Sequence, residues 1–463
     1  MDQAPSAPAS TSREGTSLRR RLEQAVLPAA PPAPPGGVAR RGLLLLGAVV
    51  LAGAVSRLRL SPAEARTIWA EDGGRFLSAQ LADGFWASLA EPYAGYMHLA
   101  PRLGAAVADA FPLAWAESVL AACASAVVGL CAVATGLLSR GHLPSRAVRA
   151  LLAAAVVLLP VAGFEAVGNV ANSHWYLMAA SFWALAARPS RTGEVVLAAA
   201  VVVLAAASDP LTVILAPLVV VRLLLLRRAR DHVVTLAFTG GTAAQLAVVL
   251  GTDRGDAPPP APVDVLSAYV VRVPVELVLG PGRAESLLTG DGAGRAAALA
   301  VTAVVLAVAA VAAAAGPWRL RWIALAGALA SLAFFVVPVT VSWAPALSVA
   351  LGPQLDLASV SRYSVVPQLL LLVLVAAGLQ ALVDLAPSPA ALGAAAVVVL
   401  LLAASAVSGY RPGWDVREGP SWDVGLAAAR QLCEDDPARA SADVPIAPDP
   451  ERWRAVVPCA RLR

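Results

Sequence analysis

The chain has 463 residues, of which 58% are hydrophobic and only 14% charged, and its mean hydropathy is +0.70. Roughly a quarter of an average soluble domain is charged, so an ordinary soluble enzyme is excluded and a polytopic membrane protein becomes the default class. The net charge of +4 is dispersed without a compact basic domain, which excludes nucleic-acid binding, and all 35 basic residues are Arg, a compositional bias rather than chemistry.

Residues 1–36 are rich in Pro, Ala and Ser and end in prolines and glycines, so a disordered tail is expected there. The first apolar run starts at Gly42 behind Arg40-Arg41, too far along the chain for a normal cleaved signal, and reads as a retained span. Eleven spans are expected in all, near 42–58, 113–138, 147–163, 175–187, 194–207, 211–227, 232–250, 295–315, 322–343, 365–384 and 390–408. The fifth and sixth together run about 34 residues, or roughly 50 Å, too long for one crossing and short for two. Their break at Ser208-Asp209-Pro210 is therefore expected below the membrane surface.

Arginine placement orients these spans. The short loops after even-numbered spans hold Arg140, Arg146, Arg149, Arg188, Arg191, Arg227, Arg228, Arg230, Arg319 and Arg321, whereas Arg362 is the exception in the short loops opposite. Basic loops are retained in the cytoplasm, so the N-terminus is expected inside and the C-terminus outside. Segments 59–112, 251–294 and 409–463 are then external, giving a tail (1–36), a membrane domain (37–408) and an external C-terminal segment (409–463) of a multi-pass cell-membrane protein.

A lipid-facing charge near the bilayer centre costs roughly 3 kcal/mol, so ionisable groups beside spans need a reason, and here they gather on the external side. The richest stretch runs from Thr67 to Leu77. In it Trp69 precedes two adjacent carboxylates, Glu71 and Asp72, followed by Gly73-Gly74 and an amphipathic helix expected from Gly74 to Asp83. A carboxylate so placed suits a general base taking a proton from an acceptor hydroxyl, while Asp72 also suits a plain helix N-cap. Further on, Tyr93, Tyr96, His98 and Arg102 fall at near-helical spacing that suits a carbohydrate or phosphate cleft, with interfacial anchoring as the ordinary alternative.

Between the third and fourth spans, Asn172, His174 and Trp175 combine hydrogen-bonding groups with an apolar plate, as sugar binding requires, although Asn172 also suits a cap. Asp209 divides in the same way between a site residue and a Ser-Asp-Pro turn. Before the tenth span, Ser361-Arg362-Tyr363 offers a guanidinium for bidentate phosphate binding, against headgroup snorkelling. In the tail, Cys433 and Cys459 are a disulfide candidate in an exported segment. Short strands are expected at Val444–Ile446 and Trp453–Val457 after a helix begun near Ser421. The tail reads as a structural cap, with a lid or sugar-binding role for Trp414, Trp422 and Trp453 as the alternative. No Gly-Lys phosphate loop, zinc-type Cys/His spacing or Gly-x-Ser-x-Gly turn occurs.

The external Trp69-Ala70-Glu71-Asp72-Gly73 motif after the first span, the long first external loop with membrane-surface helices, and the Arg-Tyr before a late span resemble the GT-C fold glycosyltransferases. The Asn172–Trp175 loop and the Cys-to-Cys tail are similar to those of uncharacterised actinobacterial membrane proteins grouped with that superfamily. The resemblance covers residues 42–463 in layout and rests on short motifs. It implies an all-α, GT-C-like membrane protein that transfers a sugar from a polyprenyl-phosphate donor to a cell-envelope lipid, glycan or protein on the outer face, in contact with membrane lipids. Carried over, the activating carboxylate is Asp72, with Glu71 second; the phosphate-binding residue is Arg362, with Arg102 second. Glu-Asp stands where metal-dependent members have Asp-x-Asp, so no cofactor is expected and a divalent metal is not required. The competing readings are a non-enzymatic transporter or flippase of lipid-linked glycans, and a glycan polymerase or ligase, whose large external loop would normally lie late in the chain.

Overall fold

The computed structural model describes residues 11–30, 37–251, 260–348, 355–384, 388–411 and 418–463. Helix α1 (Thr11–Val26) precedes the first apolar helix α2 (Val38–Arg57); a surface layer of α3 (Ser78–Ala90) and α4 (Leu99–Asp109) then leads to α5 (Ala116–Leu138). Next come α6 (Arg146–Leu158), the single turn α7 (Ala162–Glu165), α8 (Ser173–Ala186), α9 (Thr192–Ala206), α10 (Ala216–Leu225) and α11 (Val233–Val249). A second surface layer, α12 (Pro262–Val270), α13 (Glu276–Leu279) and α14 (Pro281–Thr289), is followed by the long helices α15 (Gly292–Ala315), α16 (Trp318–Val341), α17 (Arg362–Asp384) and α18 (Pro389–Ser408). The chain ends in α19 (Trp422–Asp435) and an antiparallel pair, β1 (Ser441–Pro445) and β2 (Arg454–Pro458), with Ala442 opposite Val457 and Val444 opposite Ala455.

The protein is a predominantly helical, multi-pass membrane protein. Among the described residues, seven helices are long and apolar enough to cross a bilayer: α2, α5, α11, α15, α16, α17 and α18. The other four of the eleven expected spans are helical but short, α6, α8, α9 and α10 having 13, 14, 15 and 10 residues. Fifteen residues reach only about 22 Å, against a hydrocarbon core of about 30 Å. A short helix is tolerated where protein rather than lipid surrounds it, and α8 is buried along its entire length. Irregular backbone at membrane depth is stable only under such cover.

The break between α9 and α10 follows this rule. The Ala207 carbonyl and the Ser208 hydroxyl accept the Leu99 and Ala100 amides at 3.1 and 2.9 Å, so the start of α4 dips in and covers the apex.

The arginine-bearing loops meet at one end of the bundle. There His142 lies between the carbonyls of Ala186 and Arg319, Arg140 pairs with Glu194 at 2.7 Å, and Arg319 pairs with Asp384 at 3.1 Å. Helix α1 docks at this end too, which corrects the expectation of a wholly disordered tail. Leu27 is buried, and Glu23 pairs with Arg188, which also meets Asp231 at 3.3 Å. A polar composition did not prevent folding because these partners lie elsewhere in the chain. Residues 1–10 and 31–36 lie outside the described residues.

At the opposite end the tail clamps the first surface segment. Cys433 and Cys459 form the expected disulfide, with Cα atoms 5.5 Å apart. The tail core contains fully buried Trp422, whose indole donates to the Leu113 carbonyl at 2.9 Å, so this residue is structural. Trp453 packs over Gly74, whereas Trp414 lies outside the described residues. Backbone bonds join Ala70 to Ala447 (2.6 Å) and Ala447 to Ile68 (3.1 Å). The helix expected from Gly74 begins as a widened π-helical turn, Asp72–Leu77, running into α3, and the glycines of that turn admit the tail. A side chain at Gly73 would meet Ile446 at 2.7 Å, and one at Gly74 would meet the Trp453 ring at 3.1 Å.

Candidate functional site

Four distant stretches converge on one polar cluster: the π-helical turn with Glu71 and Arg75, the Tyr93–His98 turn, the loop and helix start from Glu165 to Trp175, and the N-terminus of α17. Asp209, at the α9–α10 break, closes it from below.

Adjacent residues on a helical turn point about 100° apart, and this separates the two acidic side chains. Asp72 turns inward and is buried; its two carboxylate oxygens accept the amides of Val170 (2.9 Å) and Ala171 (2.7 Å). It therefore ties the 165–175 loop to the π-helical turn, and the N-cap expected of it is not what it forms, because its partners lie in another segment. Glu71 is half-buried and faces the cluster. Burial pushes its carboxyl above the ordinary range, with nearby Glu165 adding to the shift and its own amide, Arg362 and Arg75 opposing it.

Glu165 is buried and holds Arg362 twice. Its carboxylate accepts the Arg362 guanidinium at 2.9 Å and the Arg362 backbone amide at 3.0 Å. The guanidinium lies over the Tyr363 ring (5.2 Å), and 36% of the Arg362 side chain remains exposed. Arg75, exposed, sits over the Tyr93 ring at 5.3 Å and gives Glu71 a second cationic neighbour. Nothing in the sequence pattern distinguishes Glu165 or Arg75 from ordinary loop charges.

Tyr93 and Tyr96 are presented together by a tight two-residue turn in which each residue's amide bonds the other's carbonyl, at 3.0 and 3.1 Å. Ala94 (φ 49°) and Gly95 (φ 82°) both take the left-handed backbone that such a turn demands. Burial raises the Tyr96 phenol well above its ordinary value, helped by the charge of Asp209 and by Tyr363 and Glu71. His98 stacks under Tyr96 (3.8 Å), and its Nδ1 lies 3.1 Å from the Tyr96 carbonyl oxygen. Burial, then the charges of His174 and Arg102, push its imidazole down to about 3, so it supports the turn as a neutral ring.

Arg102 corrects an expectation. It is buried over the Phe76 ring and spends its donors on the Ser88 hydroxyl (3.0 Å), the Met97 carbonyl (3.2 Å) and the Glu91 carbonyl, bracing the surface layer rather than facing a phosphate. Its near-helical spacing from the tyrosines misled because residues 93–98 form a turn. Asn172 is likewise consumed in folding its loop. Its carbonyl oxygen accepts the Trp175 indole at 3.1 Å, and its amide donates to the Glu165 carbonyl at 3.0 Å. It holds the N-cap position of α8 without making a capping bond.

Trp175 stands edge-on to Tyr363 at 5.7 Å. Nε2 of His174 lies 3.3 Å from Oδ2 of Asp209, whose other oxygen caps the next turn through the Leu211 amide at 2.8 Å. Asp209 thus makes the expected turn and in addition pairs with His174. The cluster holds a desolvated carboxyl beside two cations, with aromatic plates and a His–Asp pair around them. Among the described residues, no group of three or more His, Cys, Asp or Glu gathers to hold a metal ion.

An apolar groove of about 140 Å³ lies away from this cluster, along α6, α17 and α18. Leu152, Leu158, Leu277, Leu372, Leu379 and Leu402 are among its lining residues.

No family model matches this chain, and no curated protein matches it. Among solved structures it is similar to the cryo-EM structure of the arabinofuranosyltransferase AftD from mycobacteria, at 17% identity and a TM-score of 0.46. The match covers 87% of this chain and 29% of that one, so the chain spans under a third of the length of the protein it matches.

Proposed function

We propose that the protein is a GT-C-like membrane glycosyltransferase that moves a sugar from a polyprenyl-phosphate donor to a hydroxyl of a cell-envelope lipid, glycan or protein on the outer face. The observation carrying this reading is Glu71, a half-buried carboxylate within electrostatic reach of Arg362, which Glu165 holds in place. In the reaction the acceptor oxygen forms a bond to the anomeric carbon, the bond from that carbon to the phosphate oxygen breaks, and the acceptor proton passes to Glu71. The leaving polyprenyl phosphate gains negative charge, which Arg362 and Arg75 stabilise. A fixed, partly desolvated cation is most effective where charge develops. Tyr93, Tyr96, Tyr363 and Trp175 supply aromatic plates for the sugar, and His174 is oriented by Asp209. The apolar groove supports a lipid donor, because α17 carries Arg362 at its start and Leu372, Val375, Ala376 and Leu379 of the groove further along.

This assigns Glu71 rather than Asp72 as the base. It also puts the face bearing the tail outside the cell and the N-terminus inside, in line with the arginine-rich loops gathered at the other end. The test is transfer from polyprenyl-phosphoryl sugars in vesicles containing the purified protein. Glu71→Gln and Arg362→Ala are expected to lose transfer while still inserting; full transfer by Glu71→Gln overturns the assignment.

A further inference from the structure

The segment that delivers Arg362 is strained. Val360 has φ 53°, a left-handed backbone that is an outlier for a β-branched residue and persists only where the surroundings hold it. Two buried charged side chains hold it, one on each side. Glu165 takes the Arg362 amide after the strained residue. Before it, Arg272, fully buried, donates to the carbonyls of Ser359 (3.1 Å), Asp356 (2.7 Å) and Ala346.

The short loop is also organised within itself. Asp356 accepts the amides of Ala358 and Ser359 at 2.9 and 3.1 Å, and Leu355 and Leu357 are buried against Val271 and Val275. Arg272 belongs to a π-helical turn, Val271–Val275, containing Pro274, which lacks the amide that a regular helix would use. Gln368 of α17 fastens this turn, donating at 2.9 Å to the Arg272 carbonyl and at 2.9 Å to Glu276.

We propose that Arg272 is a positioning residue, holding the strained 356–360 backbone in the one shape that brings Arg362 against Glu165 and toward the phosphate of a lipid ligand. The proposal rests on the reading of Arg362 as the phosphate-binding residue. Arg272 touches no ligand itself; it acts through Ser359, Val360 and Ser361. A planar guanidinium reaches three carbonyls at once, which a lysine ammonium cannot do in this geometry. Without it, Val360 relaxes to negative φ and Arg362 swings away from Glu71.

The experiment compares farnesyl phosphate with farnesol binding to the full-length protein in nanodiscs, by calorimetry. The affinity ratio isolates the phosphate contact from the apolar one, and a general loosening of the fold does not move it selectively. Arg362→Ala is expected to abolish the phosphate preference. The double variant Arg272→Met with Glu276→Gln, which avoids orphaning a buried carboxylate, is expected to lower the preference at least tenfold with farnesol affinity unchanged. Adding Val360→Gly, which accepts positive φ freely, is expected to restore part of it. Arg272→Lys keeps the buried charge and is expected to show the same loss, so it carries the test if the double variant does not accumulate. Full preference in an Arg272 variant, alongside its loss in Arg362→Ala, overturns the positioning role and leaves the phosphate reading standing. Preference retained in Arg362→Ala removes the phosphate reading itself.

Discussion

Exchanging Asp72 for Asn replaces one carboxylate oxygen with an NH₂ group at a place where both oxygens accept buried backbone amides, at 2.9 and 2.7 Å. Asn satisfies only one of them, and the other amide then faces a donor. A hydrogen bond to a charged group contributes about 1.5–3 kcal/mol, and a buried unsatisfied amide costs about 1–3 kcal/mol. These terms overlap, so Asp72→Asn is expected to cost about 2–4 kcal/mol, read as a lowered thermal midpoint in detergent. Glu71→Gln changes a half-buried side chain without an amide partner in another segment, and its stability effect is expected within about 0.5 kcal/mol. Transfer should behave in the opposite way. Loss of a general base lowers the rate roughly 10²–10⁴-fold, equivalent to about 3–5 kcal/mol of barrier. Because burial raises the Glu71 carboxyl, transfer by the unmodified protein should rise with pH through an apparent pKa above that of an ordinary glutamate. That limb should be missing from the residual activity of Glu71→Gln. An Asp72→Asn protein with an unchanged midpoint and no transfer, beside an active Glu71→Gln protein, refutes this division of labour.

Glu165→Gln keeps the shape but loses the charge that holds Arg362, so the apparent donor KM should rise about tenfold or more while insertion is unaffected; an unchanged donor KM counts against the clamp. His98, held neutral with its imidazole down at about 3, takes no proton in the folded state while the unfolded chain protonates near pH 6.5, so stability should fall as pH drops from about 6.5 toward 3. The slope should approach about 1.4 kcal/mol per pH unit, and His98→Asn, which tolerates the positive φ, should flatten it in acid-side melting curves. Reducing Cys433–Cys459 opens a loop of 26 residues' separation and should cost on the order of 3 kcal/mol locally. Since the tail is bonded to Ile68 and Ala70, hydrogen exchange should rise in residues 68–78 as well as in the tail, and a rise confined to the tail would separate it from the site.

What the sequence made legible was what local pattern controls. Apolar runs marked the helices, arginine runs marked the loops that now meet at one end, and two cysteines with alternating apolar residues marked the tail's disulfide and hairpin. Direction within a turn was not legible. Glu71 and Asp72 are adjacent and chemically alike, and only the arrival of the Val170 and Ala171 amides from a loop a hundred residues away decides which one is consumed. The same holds for Arg102 and Arg362. Each lies within a few residues of a tyrosine in the chain, yet one finds carbonyls and a hydroxyl, and the other finds Glu165.

Arg272 and Glu276 were missed for a different reason. They lay in a segment counted as external loop, where charges need no justification. Their signal was present: an Arg and a Glu four residues apart inside the apolar run Val265–Leu279, the spacing that puts both on one side of a helix. A buried arginine with three carbonyl partners is costly to place, and here two of those partners, Asp356 and Ser359, lie in the backbone just before the strained Val360. The acidic end of that same backbone contact is Glu165, itself inside a loop tied down by Asp72. Asp72, the carboxylate the motif marks first, is therefore one link in holding the arginine next to Glu71. Asp72, Glu165 and Arg272 thus converge on the placement of Arg362.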